Sequence, residues 1–337
     1  MVQIKAFLAR SDGGGASVVV RETNKSWIFL TPTHVFKLKK QVRDDLQDLT
    51  SLRARLDNCL METDLNRRLA PKTYLGIIRV VKCSDGRLGL GTDGKTVDWL
   101  VKMRRLPADR MLDVAATMPA KDHASLKPQV ERLAQKLIAF YNDSPVSLLG
   151  AAELLTGIQD QRQLNRACLL NPLFAAHHTR FGAVFDALDV AFATHLKLFE
   201  ARVKAGWIRE CHGDLRPEHV CLTPTPVVFD CLEFNRNLRL VDPFSEVVFL
   251  GMEAEMLGAA WIKPLLIARM ASGLGTCPDT ALLDLYASMH AMLRTRLCLA
   301  HLLVPTPRTP EKWMPLGLRY FKVAERLLCD TDRILAR

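Results

Sequence analysis

Residues 211–222, Cys-His-Gly-Asp-Leu-Arg-Pro-Glu-His-Val-Cys-Leu, place a carboxylate, Asp214, in a turn directly before a short apolar strand. Residues 223–226 turn the chain tightly, and Val227-Val228-Phe229 returns to a second acid, Asp230. A hairpin of this kind holds two carboxylates side by side at one end. Phosphoryl transfer calls for such a pair: one acid orients and deprotonates the acceptor hydroxyl, the other holds a magnesium ion against the phosphates. That chemistry is mostly positioning and charge neutralisation, so rigid placement counts for more than unusual side chains. A lone Asp in a turn ordinarily caps it. The His-Gly-Asp run and the hairpin behind it favour the catalytic reading here.

The elements that must position these acids fall into two kinds. The first third of the chain is strand-rich, with short β-branched or aromatic runs at residues 17–21, 26–30 and 35–39, the latter two joined by Thr31-Pro32-Thr33-His34. A helical pattern over residues 46–69 carries Leu49, Leu52, Leu56, Leu60, Leu65 and Leu69, and Pro71 stops it. Strands at 77–82, 88–90 and 97–103 follow, separated by turns at Ser84-Asp85-Gly86 and Asp93-Gly94. The pattern predicts a β-meander closing an antiparallel sheet, with one helix after the third strand. Beyond Leu106-Pro107, helices dominate from 125 to 208, with breaks near 142–145 and 171–172. They resume from 244 to the end, broken at 273–278 and 305–310. The expectation is an α+β architecture: a small sheet-plus-helix lobe over residues 1–105, a hinge near 102–107, and a larger helical lobe over 106–337, with a ligand cleft between them.

Composition narrows the partners. A chain of 337 residues has room for two such parts, and 49% hydrophobic with 24% charged residues describes a globular protein with a substantial core. No apolar run approaches the length of a membrane span. Lys5, Arg10, Ser11 and Asp12 interrupt the start, against a secretory leader, so a cytoplasmic location is the expectation. The nine cysteines are scattered singly with no C-x-x-C pair, which reads as reduced, mostly buried thiols. A net charge of +10 favours anionic partners such as nucleotides or phosphorylated substrates. The basic residues come in short groups such as Lys37-Leu38-Lys39-Lys40, which read as solvated surface, and no aromatic–basic motif supports nucleic-acid binding.

The block at residues 211–246 resembles the catalytic loop and metal motif of aminoglycoside phosphotransferase-like enzymes, which have the protein-kinase-like fold. Lys25 to Lys40 resembles their second and third strands. Asn66-Arg67-Arg68-Leu69-Ala70-Pro71, Val101-Lys102-Met103-Arg104-Arg105-Leu106-Pro107 and residues 229–258 are similar to a bacterial group of that family whose members often carry a P-loop kinase domain after the kinase-like one. This chain has no G-x-x-x-x-G-K-[ST], so it is expected to be a stand-alone version. The resemblance implies a bilobal fold, ATP and Mg2+ as cofactors, and a nucleotide and a small hydroxylated molecule as partners. By position it makes Asp214 the catalytic base, with His212 bracing the loop and Arg216 able to meet a phosphate. Asp230 becomes the principal metal ligand, with His219 and Glu233 as further candidates. Lys37, held by Glu62, would contact the phosphates; Lys39 shares its face at period two, and the choice between them stays open with Lys37 favoured. Backbone groups of Val101, Met103 and Arg104 would meet adenine.

This sequence departs from the family pattern at two places. The position five after Asp214, usually Asn, is His219, and imidazole suits softer metals better than Mg2+. No G-x-G-x-x-G covers the phosphates; Gly13-Gly14-Gly15 precedes the first clear strand and reads as a flexible turn. The leading expectation is an ATP-dependent O-phosphotransferase acting on a small hydroxylated molecule. The alternative, motivated by His219, is a nucleotide-binding pseudokinase that works through partner contacts. The acceptor and the oligomeric state are not legible.

Overall fold

Ile4 and Leu8 stand four residues apart, the spacing that puts two side chains on one helical face, and both are buried in a sheet core. In the computed structural model they belong to a first helix that the sequence patterns did not single out. The structure describes residues 2–11, 17–44, 46–91 and 93–329, so Gly13-Gly14-Gly15 lies outside the described residues. In chain order the elements are α1 (Val2–Ser11), β1 (Val19–Glu22), β2 (Ser26–Leu30), β3 (His34–Lys39), α2 (Leu52–Arg67), β4 (Tyr74–Lys82), β5 (Leu88–Leu90) and β6 (Lys95–Arg104). Then come α3 (Leu112–Ala116), α4 (Lys127–Asp143), α5 (Ala151–Leu169), α6 (His178–Lys204), β7 (Arg209–Glu210), β8 (Val220–Cys221), β9 (Val227–Val228) and β10 (Leu240–Val241). The last four are α7 (Pro243–Met256), α8 (Ile262–Leu274), α9 (Thr280–Ala300) and α10 (Pro310–Cys329).

The described residues form two compact units. The first gathers the described residues within 1–140, 212–239 and 257–259; the second gathers those within 141–211, 240–256 and 260–329.

In the first unit six strands make one sheet in the order β1-β2-β3-β6-β4-β5, antiparallel throughout. The expected meander is therefore modified: β6 returns between β3 and β4. Leu100 and Val101 on β6 are fully buried on opposite faces, which only an interior strand allows, while three-residue β5 takes an edge. One face packs Phe29, Phe36, Val80 and Leu100 against Ile4 and Leu8 of α1. The other packs Tyr74, Val101 and Met103 against Cys59 of α2, with Val227 and Phe229 alongside. Period-two alternation along β3 sends Phe36 to the first face and Val35, and with it Lys37 and Lys39, to the face of α2. Helix α2 starts at Leu52, six residues later than its leucine pattern suggests, because Ser51 caps it by accepting from the Ala54 N–H at 3.0 Å. Arg43 and Asp48 form an isolated β-bridge upstream, which takes that stretch out of the helix.

In the second unit, β7 pairs with β10, and helices make up most of the rest. Asp242, buried, receives Arg202 at 2.6 and 3.1 Å and the Tyr286 hydroxyl at 3.3 Å. Tyr141 donates to buried Glu246 at 2.9 Å. Both acids are thereby paired with buried donors inside this unit. Among the described residues, no helix is long and apolar enough to cross a membrane.

Candidate active site

Every candidate site residue lies in the first unit. The Lys37 Nζ sits 2.9 Å from Glu62 Oε1 and 2.9 Å from Asp230 Oδ1. Two residues on, the Lys39 Nζ meets the other oxygen of Glu62 at 2.5 Å and Glu233 Oε1 at 2.7 Å. Strand β3 and helix α2 thus build a ladder that runs Asp230–Lys37–Glu62–Lys39–Glu233. Glu62 is fully buried and Lys39 is 4% exposed, so each must be paired to stay charged. Burial works against the charge on Lys37, but Asp230 and then Glu62 outweigh it and hold its pKa well above the usual lysine value. Burial likewise opposes the charge on Asp230, yet Lys37, then His219, keep its carboxyl far below the ordinary range. The Asp230 side chain remains 41% exposed, so the ladder opens to solvent at that end. It carries three carboxylates and two ammonium groups, one negative charge in excess, which suits a cation site.

The backbone at Asp230 is in the left-handed region, with φ 61°, which Asp tolerates better than most residues. Neighbours hold it there. The Asp230 N–H donates to the Tyr74 hydroxyl at 3.3 Å, and the Cys231 N–H to Asn66 Oδ1 at 2.9 Å. Asn66 Nδ2 donates in turn to the Glu62 carbonyl at 2.8 Å. Tyr74 and Asn66 were not recognised as site residues from sequence; the signal for Asn66 is a polar side chain four residues after Glu62, on the same helical face.

The loop around Asp214 is fixed from the other side. His212, fully buried, places Nε2 at 3.0 Å from the Phe229 carbonyl and accepts the Asp214 N–H on Nδ1 at 3.3 Å. Burial, then the neighbouring His219, pushes its pKa down to about 4, so the ring is neutral near pH 7. The ring thus ties the Asp214 N–H to the Phe229 carbonyl across the loop. Gly213 has φ +88°, and a Cβ there would come within 2.9 Å of the Arg239 side chain and 3.0 Å of Leu232. Only glycine fits.

His219, in a 3-10 turn over Pro217–His219, stands between the two acids. Its Nδ1 is 2.8 Å from the Asp214 carbonyl and 3.7 Å from Asp214 Oδ2, while Nε2 is 3.6 Å from Asp230 Oδ2. Arg216 reaches Asp214 Oδ1 at 2.9 Å and Glu218 at 2.5 Å, with Nη2 at 3.4 Å from His219 Nε2. The hairpin therefore juxtaposes Asp214, His219 and Asp230, while Glu233 is taken up by Lys39. Among the described residues no group of three or more His, Cys, Asp or Glu side chains is arranged to hold a metal. A cation bound at Asp230 would draw its remaining ligands from phosphate oxygens and water, and the hard carboxylate fits Mg2+ in that role.

The residues expected to meet adenine are differently placed. Strand β6 is interior, so Val101 pairs with Lys37 and Ile77, and Met103 with Val35 and Tyr74. The Arg104 N–H donates to the Thr73 carbonyl at 2.8 Å, and Arg105 to that of Thr33 at 2.9 Å. These amide groups serve the sheet and its margin.

No protein-family model matches the chain. Uncharacterised proteins of Mycobacterium tuberculosis and Mycobacterium bovis are 27% identical over 288 residues, covering 82% of this chain and 54% of theirs. The chain thus spans about half the length of the curated relatives it matches. Among solved structures, a choline/ethanolamine kinase family protein from Mesorhizobium loti aligns with TM-score 0.57 and 13% identity, over 97% of this chain and 94% of that one. A Streptococcus pneumoniae choline kinase gives 0.54 at 13% identity, over 97% and 98%. A spectinomycin phosphotransferase in complex with ADP and spectinomycin gives 0.51, also at 13% identity, over 97% and 98%. At these identities the likeness carries the fold: an antiparallel sheet with its helix, followed by a mostly helical remainder, the protein-kinase-like fold of choline kinases and aminoglycoside phosphotransferases.

Proposed function

We propose that the chain is an ATP-dependent O-phosphotransferase acting on a small hydroxylated molecule. The observation that carries this reading is the ladder Asp230–Lys37–Glu62 with Asp214 across His219, inside a fold shared with small-molecule kinases. Lys37 and Arg216 supply positive charge for phosphate oxygens, and Asp230 holds Mg2+, which neutralises charge on the phosphates when bound. Asp214 Oδ2 accepts the proton of the acceptor hydroxyl as its oxygen bonds to the γ-phosphorus; the bond from that phosphorus to the β–γ bridging oxygen breaks, and ADP leaves. Arg216 occupies the other oxygen of Asp214, which leaves Oδ2 to take the proton. Adenine contacts fall to the stretch after β6, from Leu106 onward, because the amides of Arg104 and Arg105 are engaged. The division into a nucleotide-binding part, residues 1–105, and an acceptor-shaping part, 106–337, belongs to the same proposal, as does a cytoplasmic location.

The test is turnover of ATP with Mg2+ or Mn2+ across a panel of hydroxylated metabolites, for the native protein and Asp214→Ala. Loss of a positioned general base predicts a fall of about 10²–10⁴-fold. Equal turnover in both proteins overturns the assignment. Nucleotide-dependent thermal stabilisation without turnover in either would favour the pseudokinase reading, which His219 motivates.

A further inference from the structure

Helix α5 carries Gln161, Asn165 and Cys168 at steps of four and three, the spacing of one helical face. Both ends of that stripe meet α9. Arg296 Nη2 donates to Gln161 Oε1 at 2.9 Å, and the Cys168 thiol donates to the Arg296 carbonyl at 3.8 Å. Asn165 lies between them, one turn from Gln161, so its side chain is turned to the same part of α9. It is 4% exposed, and its Oδ1 meets no donor. A buried amide oxygen left in that state costs stability. Arg296 has the complementary deficit. Its side chain is half-buried, and burial lowers its pKa from the usual arginine value. Among the described residues no carboxylate pairs with it. By contrast, Arg162 and Arg166 of α5 are both met by Asp189, so an arginine without an acid is the exception here.

We infer that Arg296, Gln161 and Asn165 form a binding site for a small molecule that carries an oxyanion beside a hydroxyl. The oxyanion takes the N–H groups of Arg296 that Gln161 does not engage, and such charge-assisted bonds are the strong ones. The hydroxyl donates to Asn165 Oδ1. Gln161, whose Oε1 already holds Nη2, fixes the direction in which the guanidinium fork points. A hydroxy-carboxylate carries both groups, and so does a singly protonated phosphate; a simple carboxylate carries only the first. The inference is independent of the phosphotransferase reading, since all three residues belong to the second unit and every candidate catalytic residue to the first.

The test is titration calorimetry of the full chain with glycolate, inorganic phosphate and acetate, repeated on Arg296→Gln and Asn165→Leu. Glycolate or phosphate should bind about tenfold or more tightly than acetate, the worth of one hydrogen bond to a buried acceptor. Preference for glycolate identifies a hydroxy-carboxylate ligand, and preference for phosphate a phosphate monoester. Each variant should weaken that binding by about tenfold or more. Asn165→Leu should also raise the denaturation midpoint of the ligand-free chain, because it removes an unpartnered buried amide without opening a void. A lower midpoint in that variant would mean that the amide serves the fold, and overturns the inference. Equal affinity for all three probes, or undiminished binding by Arg296→Gln, overturns it as well. Failure of the native chain to bind any of them does the same, and needs no variant to fold.

Discussion

At the scale of the residue, the two lysines of β3 have different work although one period-two face presents both. Lys37 ends on Asp230, which is open to solvent, whereas Lys39 joins Glu62 and Glu233 in the closed part of the ladder. Lys39→Met should destabilise the protein by about 3–5 kcal/mol, because it strands buried carboxylates. Lys37→Met should lose turnover out of proportion to its loss of stability. Denaturant titration beside steady-state kinetics separates the two effects, and identical profiles would contradict the division of labour. His212 makes a second prediction. Its pKa is about 4 in the folded chain against 6.5 for the ordinary residue, so the unfolded chain binds a proton that the folded one refuses. That contribution to stability is complete above pH 6.5 and is lost as pH falls toward 4, up to about 3 kcal/mol in all. Denaturation midpoints between pH 4 and 7 should show this slope in the native protein and a flatter one in His212→Asn. The hairpin pattern made Asp214 and Asp230 legible as a pair, whereas the lysines were reached through the family resemblance, with period two adding Lys39 to the face of Lys37. The sequence could not separate Lys37 from Lys39, because that depends on which acid each meets across nearly two hundred positions.

At the scale of the element, helix α2 does more than carry Glu62. Asn66, one turn further on, bonds the Cys231 N–H and so ties the helix to the backbone that presents Asp230. Asn66→Ala leaves a buried N–H without its acceptor, at a cost of about 1–3 kcal/mol. It should also weaken nucleotide binding, whereas Leu60→Ala, on the 45% exposed face of the same helix, should change neither. Thermal shifts with and without ADP would show it; equal nucleotide responses in the two variants would refute the tether. Element positions were largely legible: β2 and β5 fall at the expected residues, and the helical breaks near 142–145 and 273–278 hold. The order of strands was not, since hydrophobic alternation reports which face a side chain takes and is silent on which strand lies beside it. Helix α1 escaped because two apolar residues at a four-residue interval are too short a pattern to stand out among Lys5, Arg10 and Ser11.

For the whole molecule, the first compact unit is assembled from three stretches of chain, and Lys37 and Asp230 are 193 positions apart. A boundary drawn from secondary-structure content alone, near residue 105, follows where strands give way to helices and carries no information about such long-range pairing. A fragment ending at Phe140 would hold Lys37, Lys39 and Asn66 without Asp230, Glu233 and Cys231, and would uncover the face that Val227 and Phe229 help to bury. It should unfold without a cooperative transition and gain no stability from ADP, in contrast to the full chain. A sharp, nucleotide-sensitive transition in the fragment would show that the ladder is dispensable for binding.

The thiol of Cys231 donates to the His212 carbonyl at 3.0 Å and is 1% exposed, at the seam where the Asp230 segment closes on the His-Gly-Asp loop. An alkylating reagent can reach that sulfur only while the seam is parted. The rate at which Cys231 is labelled is therefore a clock built into the chain, one that counts openings of the His-Gly-Asp loop without any probe being added.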